Sequence, residues 1–271
     1  MIDRNGVTTM PHPPSGGCAR ISVAASTPAD PSAGGFQLDL FDGFRLERAG
    51  RSVTPQPAAG RLIAFLGIRG RCSRAEVVGA MWPDVPEERA QASLRTVLWR
   101  LRRQMPGLLG GREALAISGT VDMDISRFQA HAWCEVGSAQ AALGEPPCPI
   151  HAAGSAGLRV GELLPGWYDD WVIFERERLR QLQLHALEAL AVRLTAEHRH
   201  AEAVDAALAA VRMDPLRESA TRALIEAYLA EGNLVEAMRQ LRTFQAQLRD
   251  ELCIVPSPEL ERLVIGHGSP R

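Results

Sequence analysis

The segment Arg89–Arg103, RAQASLRTVLWRLRR, decides the fold assignment of this chain. Its apolar residues recur at the spacing that places side chains on one face of a helix: Leu94, Val97, Leu98 and Leu101. Five arginines lie off that face: Arg89, Arg95, Arg100, Arg102 and Arg103. The segment contains no acidic residue and has a formal charge of +5, whereas the whole chain has a net charge of -2. A helix held by one face that presents arginines on the other fits the DNA major groove, and a solvated basic surface is the alternative.

The residues before this helix predict a small sheet and two further helices. Residues 36–54 alternate apolar and polar side chains between turns, which predicts a short antiparallel meander. A first helix is expected over residues 62–68. A second is expected to begin at Ser73, where Glu76 completes a capping box.

The residues after the arginine-rich helix predict a hairpin. Residues 114–118 and 121–125 flank Gly119–Thr120, a pair typical of a tight turn. Strands, three helices and a hairpin in this order predict a winged helix-turn-helix with an added N-terminal sheet. In that fold the third helix enters the major groove and the hairpin lies along the neighbouring backbone.

Composition divides the chain into four segments. Residues 1–35 are rich in Pro, Gly and Ser and are expected to form a disordered arm. Residues 36–130 form the expected winged helix DNA-binding domain, and residues 131–160 an Ala-, Gly- and Pro-rich connector. Residues 161–271 are expected to form an all-α domain. The expected fold class is therefore mainly α with a small β component.

The expected all-α domain contains an internal repeat. Helices are predicted over residues 169–197, 201–213, 216–231 and 234–252. Six pairs of residues are identical at an offset of 34: Ala189/Ala223, Leu190/Leu224, Ala196/Ala230, Glu197/Glu231, Glu202/Glu236 and Ala203/Ala237. This period is that of tetratricopeptide repeats. Two repeats rarely fold alone, so the long helix from Asp169 is expected to supply another packing layer.

Charge is distributed unequally between the two halves. Residues 36–130 contain 14 Arg against 10 Asp and Glu, a net +4, whereas residues 131–271 contain 14 Arg against 20, a net -6. This asymmetry is typical of a nucleic-acid module joined to a protein-facing one. Five scattered cysteines favour reduced thiols, and the sequence has neither a membrane-spanning apolar run nor a secretory leader pattern. A cytoplasmic location is expected.

Several longer segments together resemble one protein family. They are GRLIAFLGIRGRCSRAEVVGAMWPD, ERAQASLRTVLWRLRR, ELLPGWYDDWVIFERERLRQL, PLRESATRALIEAYLAEGNLVEAMRQL and LRDELCIVPSPELERL. In this order they resemble the bacterial transcriptional activators of the streptomycete antibiotic-regulator type. The resemblance implies binding to double-stranded promoter DNA and contact with RNA polymerase. Dimerisation is a further role considered for the helical domain. The chain lacks the nucleotide-binding segment of larger members, since the phosphate-binding loop requires a lysine and this sequence has none.

The candidate DNA-binding residues all lie on or beside the arginine-rich face: Arg89, Ser93, Arg95, Thr96, Trp99, Arg100, Arg102 and Arg103. Arg95, Thr96 and Trp99 are expected to face the groove floor, with Arg100, Arg102 and Arg103 closer to phosphates. Trp99 is adjacent to the apolar face, so a place in the core is its alternative. A second group of arginines is interpreted either as phosphate contacts or as solubilising charges: Arg61, Arg69, Arg71 and Arg74.

Two other clusters are candidate ligand sites. His131 and Cys134, with Cys148 and His151, have the pairwise spacing of zinc ligands, but their Ala- and Pro-rich surroundings favour no metal. The segment Gly166–Trp171 is interpreted as a helix start with its tryptophans packed inside, and a ligand pocket is the alternative.

No catalytic motif is recognised, so neither an enzyme nor a cofactor is expected. A helical scaffold whose winged helix binds protein is the alternative function.

Overall fold

The computed structural model describes residues 35–111, 114–138 and 155–268. Three strands form the predicted N-terminal meander: β1 (Phe36–Asp39), β2 (Arg45–Arg48) and β3 (Arg51–Ser52). They pair antiparallel in sequence order, and Leu38 lies opposite Leu46. Both leucines are buried, because alternate residues of each strand face the core.

Three helices follow, as predicted: α1 (Pro57–Arg69), α2 (Arg74–Met81) and α3 (Glu87–Gln104). The short strand β4 (Cys72–Ser73) precedes α2. The predicted capping box is present, because Ser73 Oγ accepts from the Glu76 backbone N–H at 3.2 Å and Glu76 Oε2 accepts from the Ser73 N–H at 2.6 Å. A cap of this kind stabilises a helix by about 1 kcal/mol.

The predicted hairpin between residues 114–118 and 121–125 is wrong. Strands β5 (Leu109–Gly110) and β6 (Ala114–Ile117) instead pair with each other, and β6 also pairs with β4. Strand β7 (Asp122–Met123) pairs in parallel with β1 and so completes a sheet of order β3-β2-β1-β7. The edge of β1 would otherwise leave backbone donors and acceptors unpaired, and β7 satisfies them. The wing is therefore the β5–β6 hairpin.

Helix α4 (Asp124–Ser138) is a second departure from prediction. It begins inside the predicted strand 121–125 and occupies the first eight residues of the predicted connector 131–160. Ile125, Phe128 and Ala132 are buried along one side of it. This i, i+3, i+7 spacing is a helical signal that the surrounding small residues obscured.

The C-terminal half is all helical: α5 (Asp170–Ala196), α6 (His200–Met213), α7 (Glu218–Ala230), α8 (Leu234–Leu252) and α9 (Pro258–Gly268). The first four match the predicted helices closely, and α9 was not predicted. The expected fold class, mainly α with a small β component and a tetratricopeptide-like second half, is confirmed.

The 34-residue period extends to the backbone geometry of the turns. Helices α5 and α7 end 34 residues apart, and α6 and α8 begin 34 residues apart. His198 and Gly232 are equivalent and both have positive φ, 60° and 84°. The amide of Arg199 donates to Leu194 O at 2.9 Å, and its equivalent Asn233 donates to Tyr228 O at 2.8 Å.

The two halves meet where the residues just after β1 contact the residues before α5. The Leu164 N–H donates to Leu40 O at 2.9 Å, and the Asp42 N–H donates to Glu162 O at 2.9 Å. At the start of α4, Asp124 Oδ2 accepts from the amides of Leu40 and Phe41 at 2.8 and 2.9 Å. Burial raises the pKa of Asp124, although these backbone donors act in the opposite direction.

Candidate nucleic-acid interface

Helix α3 is held by a single face. Its fully buried residues are Ala90, Leu94, Leu98 and Leu101, and Val97 is half-buried beside them. The N-terminus carries Glu87 and Glu88 and the last turn carries Arg102 and Arg103, both arrangements favourable to the helix dipole. The apolar face predicted from sequence therefore holds the helix against the core, and the opposite face is open to solvent.

At 100° per residue, Ala92, Thr96, Trp99 and Arg103 lie opposite the buried face. Trp99 is 60% exposed, so the alternative that it completes the core is wrong. The Arg103 guanidinium lies over the indole of Trp99, 5.4 Å from the ring centroid. This cation–π contact holds the charged group at the centre of the exposed face.

The remaining candidates flank this central strip. Arg95 and Arg102 lie on one side, and Arg89 and Arg100 lie on the other; all four are exposed. Ser93 is half-buried, and its hydroxyl donates to Arg89 O at 3.0 Å. Thr96 is exposed and donates in the same way to Ala92 O at 3.0 Å. All eight predicted residues therefore belong to one helix, with Ser93 the least accessible.

The five arginines of α3 differ in their electrostatics from most arginines of the helical half. Within the described residues, no carboxylate forms an ion pair with any of the five. In contrast, Arg178, Arg193 and Arg217 each pair with a glutamate, at 2.6, 3.0 and 2.6 Å. Free guanidinium groups concentrated on one exposed face give a local positive potential that attracts anions.

One residue that contacts this surface could not be predicted from the sequence. Gln56, which precedes α1, accepts a hydrogen bond from Arg100 Nη1 through its Oε1 at 2.8 Å. The two residues are 44 positions apart, so only the packing of α1 against α3 brings them together. Gln56 therefore orients Arg100 without neutralising it.

The second arginine group separates into two pairs. Arg61 forms an ion pair with Asp169, and Arg69 Nη1 lies 3.2 Å from Glu175 Oε1, so these arginines join α1 to the start of α5. Arg71 and Arg74 are exposed beside the N-terminus of α2 and form no ion pair within the described residues. Of this group, only Arg71 and Arg74 remain available for an external anion.

The segment Gly166–Trp171 packs as the structural interpretation predicts. Trp171 is buried edge-on against Phe65 with 5.3 Å between ring centroids, and Trp167 stacks on Phe44 at 6.2 Å. Asp169 is the N-cap residue of α5, but its side chain pairs with Arg61 instead of making a capping hydrogen bond. An open cleft of about 410 Å³ lies beside this segment.

The four residues with zinc-ligand spacing fall partly outside the described residues. Cys148 and His151 are not among them, so the four-residue arrangement is untested. His131 and Cys134 are buried in α4, where His131 Nε2 lies 3.4 Å from Glu135 Oε1. Among the residues that the structure describes, no three His, Cys, Asp or Glu side chains cluster as metal ligands. None of the described helices is long and apolar enough to cross a bilayer.

The fold and this surface define the class as a winged helix-turn-helix protein with an appended tetratricopeptide-like domain. Residues 123–264 match the family model described as the bacterial transcriptional activator domain. The chain belongs to this family, and the resemblance seen in the sequence is confirmed.

Two relatives are regulatory proteins named AfsR. The protein from Streptomyces coelicolor is 29% identical over 242 residues, which are 85% of this chain and 24% of that protein. The protein from Streptomyces griseus is 31% identical over 228 residues, 78% of this chain and 22% of that protein. The chain thus spans about a quarter of the length of these relatives.

One solved structure shares the fold. It is Mycobacterium tuberculosis EmbR in complex with a low affinity phosphopeptide. The TM-score is 0.67 at 22% identity, and the match covers 87% of this chain and 66% of that chain. This likeness supports the arrangement of a winged helix followed by a helical domain.

Proposed function

We propose that this chain is a sequence-specific DNA-binding regulator of transcription, and an activator, that acts in the cytoplasm without catalysis or a cofactor. The observation that carries the proposal is α3, which is buried on one face and carries five arginines without carboxylate partners among the described residues on the other. Its position as the third helix before a wing matches the geometry in which a recognition helix enters the major groove. Membership of the bacterial transcriptional activator family supports the same conclusion.

The central strip of α3 is assigned to the base edges. Thr96, Trp99 and Arg103 point directly away from the core, and an arginine can donate two parallel hydrogen bonds to guanine O6 and N7. This changes the assignment made from sequence, which placed Arg103 near phosphates. The cation–π contact with Trp99 restrains the Arg103 guanidinium, and that lowers the entropy cost of a bidentate contact.

The flanking side chains are assigned to the phosphates. Arg95 and Arg102 would contact one strand of the groove and Arg89 and Arg100 the other, with Ser93 beside Arg89. Arg71 and Arg74 lie at the start of α2, the helix that crosses the backbone in this fold. These contacts position the protein on DNA without specifying sequence.

The helical half is assigned to protein partners. Family resemblance favours RNA polymerase, and a second copy of the chain is the other partner proposed. An acidic, repeat-built surface joined to a basic winged helix suits a protein that binds a promoter and a protein together.

The test is an electrophoretic mobility shift with the DNA upstream of the gene. Replacing Arg95 and Arg100 together with alanine is expected to weaken binding at least tenfold. The slope of log K against log salt should also become shallower by roughly 1 for each phosphate that the variant no longer neutralises. The control, Arg242→Ala/Arg249→Ala, removes the same charge from exposed positions on α8. Equal, weak, salt-insensitive binding by all three proteins would overturn the proposal and favour a protein-binding scaffold.

A further inference from the structure

The hairpin formed by β2 and β3 carries two arginines directly opposite each other. Arg48, the last residue of β2, pairs with Arg51, the first residue of β3, across the turn Ala49–Gly50. Both turn residues have positive φ, 50° and 71°, which is typical of a tight two-residue hairpin turn. The backbone therefore fixes the two arginines opposite each other. We call Arg48 and Arg51 the arginine pair.

The arginine pair is electrostatically unfavourable by itself. Like charges at directly opposed positions destabilise a sheet, because their Cβ atoms are only about 5 Å apart. Both side chains are exposed, and neither forms an ion pair with a carboxylate of the described residues. In contrast, Arg45 Nη1 on the same strand lies 3.8 Å from Asp39 Oδ2. Glu47 precedes Arg48 in β2 and so points to the other face of the sheet. The arginine pair is therefore a double positive charge that an external anion would stabilise.

One member of the arginine pair is supported by the sheet. Arg48 lies opposite Phe36 of β1, and its guanidinium carbon is 5.2 Å from the centroid of that ring. Phe36 is buried, so the ring is a rigid support. A cation–π contact restrains a guanidinium without neutralising its charge. Binding of an anion to the arginine pair therefore requires little further ordering of Arg48.

A short, stiff connection joins the arginine pair to the proposed recognition surface. Gln56, which accepts the hydrogen bond from Arg100, is five positions after Arg51. Pro55 and Pro57 restrict the residues before them to extended conformations, and Gln56 has a φ of -60° and a ψ of 151°. Five extended residues span at most about 18 Å. The backbone of Arg51 therefore lies within about 18 Å of the backbone of Gln56.

This position favours DNA as the anion. Each strand of a duplex has one phosphate per about 3.4 Å of helix axis, so a distance of about 18 Å corresponds to about five base pairs. With α3 in the major groove, phosphates just outside the base pairs that it contacts are within reach of the hairpin. A guanidinium can donate two parallel hydrogen bonds to a phosphate, so two neighbouring guanidinium groups suit the DNA backbone.

We propose that the arginine pair is an additional DNA-binding site, which contacts phosphates flanking the sequence that α3 recognises. This inference rests on the proposed function, because it requires α3 to bind DNA. The contact adds affinity without sequence preference, since phosphates carry no sequence information. An acidic segment of a partner protein is the other possible ligand, and it is an outcome of the test.

The test uses Arg51→Glu, which converts the like-charged pair into a cross-strand ion pair with Arg48. Its melting temperature is expected to equal or exceed that of wild type, because opposite charges at directly opposed positions stabilise a sheet. Its affinity for the DNA upstream of the gene is expected to fall at least fivefold. The slope of log K against log salt should become shallower by roughly 2, since both arginines cease to neutralise phosphates.

Two further measurements locate the contact on the DNA. Hydroxyl-radical footprinting of Arg51→Glu is expected to lose protection at one border of the site, within about five base pairs of it. Selection from random duplex DNA is expected to enrich the same sequence as wild type, because the lost contacts are to phosphates.

Two other variants separate the position of the charge from its amount. Arg242→Glu makes the same change of charge at an exposed position on α8 and is expected to bind DNA within about twofold of wild type. Arg51→Ala removes the repulsion without creating an ion pair. It is expected to weaken binding less than Arg51→Glu does and to leave the melting temperature at or above that of wild type.

The contrary outcomes are distinct. If Arg51→Glu binds DNA as Arg242→Glu does, or if the border of its footprint is unchanged, the inference is wrong and the proposed function stands. Unchanged DNA affinity with reduced transcription by RNA polymerase holoenzyme would assign the arginine pair to an acidic protein segment and would also overturn the inference. Lower melting temperatures for both Arg51 variants would contradict the like-charge argument and overturn it. Failure of wild type to bind the upstream DNA overturns the proposed function itself.

Discussion

At the scale of single residues, His198 occupies a backbone conformation that suits glycine better. Its φ is 60°, and its equivalent in the second repeat, Gly232, has a φ of 84°. The side chain of His198 is exposed, and its ring lies 5.8 Å from that of His200, measured between centroids. A left-handed residue other than glycine costs about 1 kcal/mol because its Cβ crowds the following carbonyl.

We therefore expect His198→Gly to stabilise the protein by roughly 0.5–1 kcal/mol in urea unfolding. The matched control is Gly232→Ala, where a Cβ meets no atom within 4 Å, so any effect comes from backbone conformation alone. That variant should lose a similar amount of stability. A destabilised His198→Gly would show that the contact with His200 outweighs the relief of strain.

The arginines show what sequence can predict at this scale. The outward position of Arg95, Arg100 and Arg103 follows from helical spacing alone, and the structure confirms that they are exposed. Arg61 and Arg69 belong to the second arginine group, for which the sequence left phosphate contacts and solubilising charges as alternatives, yet both pair with carboxylates more than 100 residues away. Whether an arginine is free to bind an external anion depends on its tertiary partners, and a single sequence does not specify these.

At the scale of elements, helix α4 joins the winged helix half to α5, and it was not predicted from the sequence. The helix packs on α5 through a buried ion pair in which Arg193 Nε lies 3.0 Å from Glu135 Oε2. The Glu135 side chain is fully buried, and that of Arg193 is 14% exposed. The two carboxylate oxygens of Glu135 accept hydrogen bonds from two guanidinium nitrogens of Arg193. This bidentate geometry makes such pairs strong.

Glu135→Ala is expected to lower the free energy of unfolding by about 3 kcal/mol, because it leaves a buried guanidinium with only its second partner, Glu197. Chemical denaturation monitored by circular dichroism measures this change. The exposed pair Glu259–Arg262 supplies the control, since Glu259→Ala should cost less than about 1 kcal/mol. Similar losses for both variants would contradict a structural role for the buried pair.

The elements differ in how far their sequence determines them. Helices α5 to α8 were predicted nearly to the residue, because a 34-residue repeat and the breaks at Pro215 and Gly232 define them. The wing was misplaced, since β5 is only two residues long and its pairing with β6 is set by the fold. Strand β7 forms hydrogen bonds with the edge of β1, more than 80 residues earlier in the chain. Local periodicity in the sequence does not reveal such a pairing.

At the scale of the whole molecule, one apolar core extends from the winged helix through α5 and α6 to α7, and a second apolar cluster lies between α7, α8 and α9. Backbone hydrogen bonds between residues 40–42 and 162–164 and the aromatic contacts of Trp167 and Trp171 join the winged helix to the helical half. The orientation of α3 relative to α5 is thereby fixed.

The central claim, that the outer face of α3 recognises DNA sequence, is tested most directly by selecting binding sites from random duplex DNA. Wild type is expected to enrich one defined sequence, and Thr96→Ala/Arg103→Ala is expected to lose base preference at one or two adjacent positions while keeping the rest. Arg242→Ala, which removes an exposed arginine from α8, should enrich the wild-type sequence. The same enriched sequence from the α3 double variant, or no enrichment by wild type, would contradict the account.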